Sequence, residues 1–208
     1  MIVTKIESQK HNYERMSIYL DDAFAFGLQR EVVEKFGIQK GATLDKGFIE
    51  DVLTEEEKQR AFQVALKILA RSQKTEGEMC QKLKEKGFGE ESISASIRKL
   101  TEQGYLDDTQ FARMYVRDKM KFKRYGKIKL EGMLRQKGVD NHVVEEVFRE
   151  IDQTMYYENA MELAIKKQSQ LKGRGLENIQ IKGKINRHLL SKGYTYDLIV
   201  RVLDTLKL

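Results

Sequence analysis

The chain has no proline, no tryptophan and only one cysteine among its 208 residues. Without proline, no residue type that obligatorily breaks helices is present, and no cis-proline switch can exist. The single cysteine, Cys80, excludes an internal disulfide, and its place beside an apolar stripe predicts a small buried or half-buried hydrophobic residue. No apolar run approaches the roughly 18 residues of a membrane span, and the N-terminus lacks a basic-then-apolar signal pattern. We therefore expect a cytoplasmic protein with no membrane partner.

The net charge of +6 is distributed unevenly along the chain. Residues 1–60 hold 9 basic and 12 acidic side chains, and residues 61–108 hold 8 of each. Residues 109–156 hold 11 basic and 7 acidic side chains, and residues 157–208 hold 10 and 5. A basic C-terminal half indicates either a partner with phosphates or an acidic protein surface, or else lysines that only keep a helical protein solvated. The two interpretations are about equally supported by charge alone.

A lysine–glycine pair occurs three times, at Lys86-Gly87, Lys137-Gly138 and Lys192-Gly193. A leucine stands four residues before each glycine, at Leu83, Leu134 and Leu189. Further apolar residues stand eight before each glycine and one, six, ten and thirteen after it, which is the spacing of one helix face. Because glycine adopts the left-handed conformation that ends a helix, each copy predicts a helix, a glycine turn and a second helix. The near-constant spacing of the copies marks a repeat array.

The first 58 residues differ from the rest. Ile2–Ile6, Met16–Leu20 and Phe24–Phe26 are short and rich in β-branched or aromatic residues, with turn residues between them, which predicts a small antiparallel meander. Short helices are expected over Gln29–Phe36, which ends at Gly37, and over Phe48–Leu53. We therefore predict an N-terminal accessory domain, 1–58, with a small β-meander and short helices.

Another helix precedes each glycine-centred pair. Thr54 and Glu57 have the spacing of a capping box, which predicts that a helix begins there and runs to about Ser72. Asp107 and Asp108 are expected to cap a helix over Thr109–Phe122, and a third helix is expected over Tyr157–Leu171. The fold class is therefore mainly α, with tandem three-helix, helix-turn-helix-like repeats at 59–106, 107–153 and 154–208 in an elongated array. Such an array needs no partner to fold, so we expect a monomer.

The sequence lacks the residue patterns of catalysis. The three histidines lie in different segments without a second ligand at helical spacing, so no metal site is expected. Gly126-Lys127 and Gly183-Lys184 resemble the end of a phosphate loop, but neither is followed by serine or threonine. We expect no enzymatic activity and no cofactor.

The densest candidate for binding combines cations with two aromatic residues, Phe122 and Tyr125. Its cations are Lys119, Lys121, Lys123, Arg124, Lys127 and Lys129. Such groups can neutralise phosphates and stack on unpaired bases, unless the two aromatics are core residues and the lysines only solvate the corner. Weaker candidates of the same kind are Arg71, Lys74, Lys166, Lys167, Lys172 and Arg174.

Three-helix units with a tight turn also suggest helix-turn-helix readers of DNA, in which the last helix enters the major groove. Glu90-Glu91 and Glu145-Glu146 place acidic groups where such helices contact bases, which disfavours sequence readout. A stand-alone protein that contacts the DNA backbone stays open as an alternative.

The stretch Gly104–Tyr115 resembles a signature of the RecX family, the bacterial regulators of the RecA recombinase. The residues that carry this resemblance include Tyr105, Asp107, Asp108, Phe111 and Ala112. The segments around Arg71–Phe88 and Tyr125–Val139 resemble the family's first two repeats, so that the likeness covers about residues 55–208. Gly77 departs from the pattern, because a helix former is expected at that position.

The resemblance implies tandem three-helix repeats and a regulatory role without catalysis. RecX proteins bind the RecA filament on single-stranded DNA, suppress its ATP hydrolysis and strand exchange, and so damp recombinational repair and the SOS response. The implied partners are therefore the RecA filament and single-stranded DNA within it.

Overall fold

The computed structural model describes residues 1–10 and 12–207. Within these residues, three strands precede ten helices. The strands are β1 Val3–Gln9, β2 Asn12–Leu20 and β3 Ala23–Gln29. The helices are α1 Arg30–Lys35, α2 Lys46–Leu69, α3 Glu76–Glu85, α4 Glu90–Glu102, α5 Asp108–Lys123, α6 Lys127–Gln136, α7 Asn141–Arg149, α8 Gln153–Leu171, α9 Asn178–Lys192 and α10 Tyr196–Thr205. The predicted mainly helical fold with a small N-terminal sheet is confirmed.

The N-terminal sheet is the predicted meander, with order β1-β2-β3 and antiparallel pairing throughout. Leu20 pairs with Ala23 across a two-residue turn, in which Asp21 and Asp22 have φ of 48° and 67°. Positive φ at both central residues matches the twist of a hairpin, and aspartate tolerates it better than most residues. Met16 to Leu20 thus lie in the middle strand, as their alternation predicts. His11 lies outside the described residues.

Helix α2 corrects the prediction for residues 46–72. A single helix replaces the predicted short helix over Phe48–Leu53 and the separate helix starting at Thr54, and it passes residues 58 and 59 without a break. Its first turn is capped by Asp45, whose carboxylate accepts from the backbone N–H of Phe48 at 2.8 Å. Because α2 has no glycine or proline beyond its first turn, nothing stops it before Leu69.

Glu57 of the expected capping box, and its neighbours Glu55 and Glu56, make tertiary contacts instead. Glu55 pairs with Lys35 at 2.9 Å. Glu56 pairs with Arg15 at 3.0 Å and accepts from a backbone N–H of β3. Glu57 accepts from the backbone N–H of Gly89, which is the N-cap of α4. These acidic residues therefore connect α2 to the sheet, to α1 and to α4.

The chain forms two compact units, of which the first contains two clusters of buried residues and the second contains one. The first unit contains the sheet, α1, α2, α4 and most of α3. The second unit contains residues 75–78 and the chain from Asp107 onward. One continuous cluster of buried residues, from Ala112 to Leu203, forms the core of the second unit, so that the second and third repeats share a core. The motif leucines Leu83, Leu134 and Leu189 are fully buried, as predicted.

Each lysine–glycine pair ends a helix, as predicted, with φ of +82° at Gly87, +79° at Gly138 and +87° at Gly193. In the second unit, the N-terminus of one helix packs against each of the last two turns. A Cβ added at Gly77 would lie 2.7 Å from Cα of Gly138, and one added at Gly126 would lie 2.4 Å from the carbonyl oxygen of Gly193. Glycine is a poor helix former, but it is required at position 77 because a backbone passes where a side chain would be. We call these two packings the turn contacts.

The first turn contact joins residues 75–78 to Lys137 and Gly138. Thr75, fully buried, accepts from the backbone N–H of Glu78 at 3.1 Å and donates to the carbonyl of Lys137. Glu78 also pairs with the ammonium group of Lys137 at 2.6 Å. Asp108 accepts from the backbone N–H of Glu76 at 2.9 Å, so that it caps α3, whereas Asp107 caps α5 as predicted. The start of α3 is thus held by residues 32 to 62 positions away.

The second turn contact joins the start of α6 to the end of α9. The backbone N–H of Gly126 donates to the carbonyl of Lys192 at 2.8 Å, and that of Ile128 donates to the carbonyl of Gly193 at 3.0 Å. The free donors at one helix N-terminus therefore satisfy the free acceptors at another helix C-terminus. Their dipoles also align favourably.

Replacement of Gly77 by alanine tests the first turn contact. We expect Gly77→Ala to lower the free energy of unfolding by about 2 kcal/mol or more, because the new methyl group overlaps the backbone at Gly138. Gly132→Ala in α6 is the control, since its Cβ meets no heavy atom within 4 Å and should stabilise the helix by about 0.5–1 kcal/mol. Urea unfolding followed by circular dichroism measures both. Equal effects of the two substitutions would contradict the contact.

Asp108 makes the same contact sensitive to pH. Burial raises the pKa of its carboxyl from 3.8 to about 6, with the nearby carboxylates of Glu76 and Asp107 adding to the rise. Between about pH 4 and pH 6 the folded chain therefore binds a proton that the unfolded chain does not, so stability falls as the pH rises through this window. Asp108→Asn keeps an oxygen for the N–H of Glu76 but removes the titration. We expect the variant to gain on the order of 2 kcal/mol over the wild type between pH 4 and pH 7. A difference in unfolding free energy that is constant with pH would contradict this assignment.

Candidate nucleic-acid interface

The corner between α5 and α6 presents the densest group of predicted binding residues. Helix α5 ends at Lys123, and Arg124 takes a left-handed conformation with φ of 49°. Gly126 then starts α6 as its N-cap. Met120 and Leu130 on either side of the corner are buried, whereas Lys121, Phe122, Lys123 and Lys127 between them are exposed. The corner thus places the last turn of one helix beside the first turn of the next.

Three cations of this corner, Lys121, Lys123 and Lys127, have exposed side chains. The aromatic ring of Phe122 is also exposed, at 68 % of its full area, with the ammonium group of Lys121 5.5 Å from its centre. Phe122 is therefore not a core residue. Proteins that bind single-stranded nucleic acids use an exposed ring for base stacking and the cations around it to neutralise phosphates.

Other members of the predicted cluster have structural roles. The guanidinium group of Arg124 pairs with Glu162 of α8, and the carbonyl of Arg124 accepts from the hydroxyl of Tyr194 at 2.9 Å. Tyr125 is half-buried against the core, with the ammonium groups of Lys129 and Lys192 at 4.5 and 5.3 Å from its ring centre. Tyr125 therefore belongs to the turn contact rather than to a stacking platform.

Lys119 and Lys129 are less available than the exposed lysines. Lys119 is half-buried, with its ammonium group 5.1 Å from the ring centre of Tyr115. Lys129 donates to the carbonyl of Ser191 at 3.3 Å. Both contribute positive charge to the corner while their ammonium groups make contacts within the fold.

Helices α8 and α9 contribute further cations. The pKa of His188 is lowered by burial and by the positive charges of Lys167 and Lys192, so both lysines lie within electrostatic range of its imidazole. Lys166 stands one helical turn after Glu162, the partner of Arg124. Sequence reasoning assigned Lys192 only to its turn and found no role for His188. Their proximity to Lys167 depends on how α8 packs against α9, which no local pattern shows.

We call Phe122 and six cations of this region the basic surface; Lys167 and Lys192 are half-buried, and the other members are exposed. Its members are Lys121, Phe122, Lys123, Lys127, Lys166, Lys167 and Lys192.

The remaining predicted cations belong to other segments of the chain. Lys172 and Arg174 are exposed in the segment between α8 and α9. Arg71 and Lys74 belong to the first unit and follow α2, where the ammonium group of Lys74 donates to Ser72 at 2.8 Å.

Across residues 1–10 and 12–207, no three histidine, cysteine, aspartate or glutamate side chains are placed to hold a metal ion. No helix in that part of the chain has the length and hydropathy to cross a membrane. The basic surface can neutralise phosphates or acidic side chains and offers a ring for stacking.

Models of one protein family match the chain along most of its length. The "Regulatory protein RecX N-terminal domain" matches residues 1–45. The first, second and third three-helix domains of RecX match residues 61–100, 107–147 and 154–203. The sheet and each of the three helical repeats therefore have a counterpart in this family.

Relatives and solved structures agree with the family models. Regulatory protein RecX of Clostridium botulinum (strain Alaska E43 / Type E3) is 37 % identical over 201 residues, which cover 97 % of this chain and 94 % of the relative. Regulatory protein RecX of Clostridioides difficile (strain 630) is 33 % identical, with coverage of 99 % and 95 %. A crystal structure of regulatory protein RecX has a TM-score of 0.82 at 28 % identity and covers 98 % of both chains. A crystal structure of RecX from Lactobacillus salivarius has a TM-score of 0.68 at 25 % identity and covers 74 % of this chain and 98 % of the other. This chain therefore belongs to the RecX family of regulatory proteins.

Proposed function

We propose that this protein is a cytoplasmic, monomeric and non-enzymatic negative regulator of RecA. In this proposal it binds the RecA filament on single-stranded DNA and suppresses ATP hydrolysis, strand exchange and SOS signalling. Membership of the RecX family supports the regulatory role, because the relatives carry the name of regulatory protein. The resemblance to RecA regulators supplies the partner.

The observation that carries the proposal is the basic surface. Lys121 and Lys123 flank an exposed Phe122, so cations and a ring are available together without any change in the fold. The cations can contact phosphates or acidic side chains of a filament, and the ring can stack on an unpaired base. We propose that the mechanism is occlusion, in which the repeats bridge adjacent RecA subunits while the basic surface contacts DNA or an acidic surface of RecA.

The distribution of charge favours a protein partner over bare DNA. The basic excess lies beyond residue 108, whereas residues 1–60 are acidic and residues 61–108 are neutral. A protein that binds DNA alone gains affinity from every phosphate that it neutralises, so charge is expected along its whole length. An acidic N-terminal part fits better with a partner that presents both protein and DNA.

RecA's DNA-dependent ATP hydrolysis tests the proposal. We expect strong inhibition at amounts of this protein well below those of RecA, on saturating single-stranded DNA at fixed salt and with RecA of the same species. Inhibition that appears only in excess over DNA sites, and that added DNA relieves, would instead indicate a protein that binds bare DNA. Absence of inhibition would contradict the proposed regulation of RecA.

Charge reversal on the basic surface tests the assignment of the site. We expect Lys121→Glu combined with Lys123→Glu to weaken filament binding by at least about tenfold, because two attractive contacts become repulsive. Helical content and the free energy of unfolding should stay the same, since both side chains are exposed. Arg124 is left unchanged because its pairing with Glu162 stabilises the fold.

A matched control for this variant is Lys40→Glu combined with Lys46→Glu. Both lysines are exposed in the first unit, and the change in net charge is the same. Binding measured by fluorescence anisotropy of labelled filaments should respond to the first variant and not to the control. Equal loss in both would mean that net charge, rather than this surface, determines binding.

A further inference from the structure

The first of the three lysine–glycine turns stands in a different environment from the other two. Gly138 and Gly193 each touch the start of another helix, through the two turn contacts. At Gly87 an added Cβ would meet no heavy atom within 4 Å. The same local structure thus occurs twice with a partner helix and once without one.

Exposure shows the same difference. The residues that follow the occupied turns, Val139 and Tyr194, are 4 % and 1 % exposed. Phe88, at the equivalent position after the first turn, is only half-buried, and Lys86 and Gly87 are exposed. Apolar area next to the first turn therefore remains available to a further surface.

The two occupied turns define what such a surface has to offer. The incoming segment carries glycine where the backbones meet, at Gly77 in one contact and Gly126 in the other. It also supplies a donor to the carbonyl of the turn lysine, from the hydroxyl of Thr75 or from the backbone of Gly126.

The ammonium group of the turn lysine makes the third interaction. Lys137 pairs with Glu78 at 2.6 Å, and Lys192 lies 5.3 Å from the ring centre of Tyr125. Lys86 takes part in none of the ion pairs of the described residues. The first turn therefore has a cation available for an acidic or aromatic side chain.

A second copy of this chain does not supply the matching segment. In the third repeat, Gly183 lies within α9, where its neighbours on both sides are already helical. The real N-terminus of α9 is closed by a reciprocal capping box between Glu177 and Gln180. The starts of α3 and α6 are already used in the turn contacts.

Gly89, the N-cap of α4, already donates to Glu57. Gly47 lies in the first turn of α2, but Asp45 and Phe48 beside it are engaged, Asp45 as the cap of α2 and Phe48 against the ring of Phe36. No helix start among the described residues thus presents glycine together with an unoccupied acidic or aromatic side chain.

We infer that the turn Lys86–Phe88 is a docking site for the N-terminus of a helix in a partner protein. The partner helix has glycine or another small residue in its first turn, and an acidic or aromatic side chain placed against Lys86. The inference rests on the proposed function, because the partner is the protein of the regulated filament. The contact is one of protein with protein, in a different unit from the basic surface.

The substitution Gly87→Asn tests the docking site. Asparagine is the residue that replaces glycine most readily in a left-handed helix end, so the turn is retained while its side chain occupies the open face. We expect inhibition of RecA's ATP hydrolysis on single-stranded DNA to require at least about tenfold more Gly87→Asn variant than wild type. Lys86→Glu should also weaken inhibition, because it reverses the charge that the acidic or aromatic group contacts.

Gly37→Asn is the matched control. Gly37 lies in the same unit, has φ of +60° and also meets no heavy atom within 4 Å, so the two substitutions carry the same local strain. We expect Gly37→Asn to inhibit like the wild type, and the melting temperatures of both variants to agree within a few degrees. Loss of inhibition in both variants would overturn the inference, since it would trace the effect to strain.

The outcomes separate the inference from the proposed function. Inhibition by wild-type protein that Gly87→Asn leaves unchanged would overturn the docking site and leave the proposed function standing. Absence of inhibition by wild-type protein would overturn both. Sedimentation of the protein alone provides a further check. Self-association that Gly87→Asn abolishes would show that a second copy occupies the turn, and would also overturn the inference.

Discussion

The close approach of two backbones at the turn contacts is the constraint on which the second unit depends. Gly77 faces Gly138, and Gly126 faces Gly193, at separations that leave no room for a Cβ on either side. Side-chain packing alone tolerates many volume-conserving exchanges, whereas a contact between backbones requires glycine. The contacts also bring helix starts to helix ends, so free donors meet free acceptors. A few glycines therefore hold the repeats that share the core of the second unit in register.

The same constraint shapes the basic surface. Within a few residues, the corner between α5 and α6 has to supply a left-handed C-cap, a half-buried ring and the glycine of the second turn contact. Arg124 and Tyr125 meet these structural demands and are occupied by Glu162 and by the lysines around the ring. Phe122 has no such task and remains exposed. Exposure alone does not distinguish Phe122 from other exposed apolar residues such as Tyr13 and Ile179, and its place between Lys121 and Lys123 is the reason to propose it for binding.

Local patterns predicted what local forces determine. Helical spacing identified Leu83, Leu134 and Leu189 as core residues, and the glycine turns followed from conformational preference. The pattern of threonine followed by glutamate three residues later occurs at both Thr54 and Thr75, but only Thr75 begins a helix. At Thr54 the helix already runs from its cap at Asp45, so the pattern alone could not decide between the two. The sequence alone could likewise not show which cations of the predicted cluster stay unpaired and exposed. Arg124 and Lys121 look equivalent in sequence, and only the position of Glu162 on α8 separates them.

The first and third repeats differ at the surfaces that contact no further repeat, which are the turn at Gly87 and the N-terminus of α9. A repeat presents interaction surfaces to the next one, so an unmatched end has to be made compatible with water. In the third repeat, α9 is 15 residues long, against 10 for α3 and for α6, and its N-terminus caps itself. In the first repeat, the turn keeps its glycine and lysine although, among the described residues, a Cβ added at Gly87 would meet no heavy atom within 4 Å. Lys86 and Gly87 of this turn are exposed, and Phe88 is only half-buried. The N-terminus of α9 is therefore closed by its own capping side chains, whereas the first turn retains the glycine and lysine of a contact that the fold uses twice.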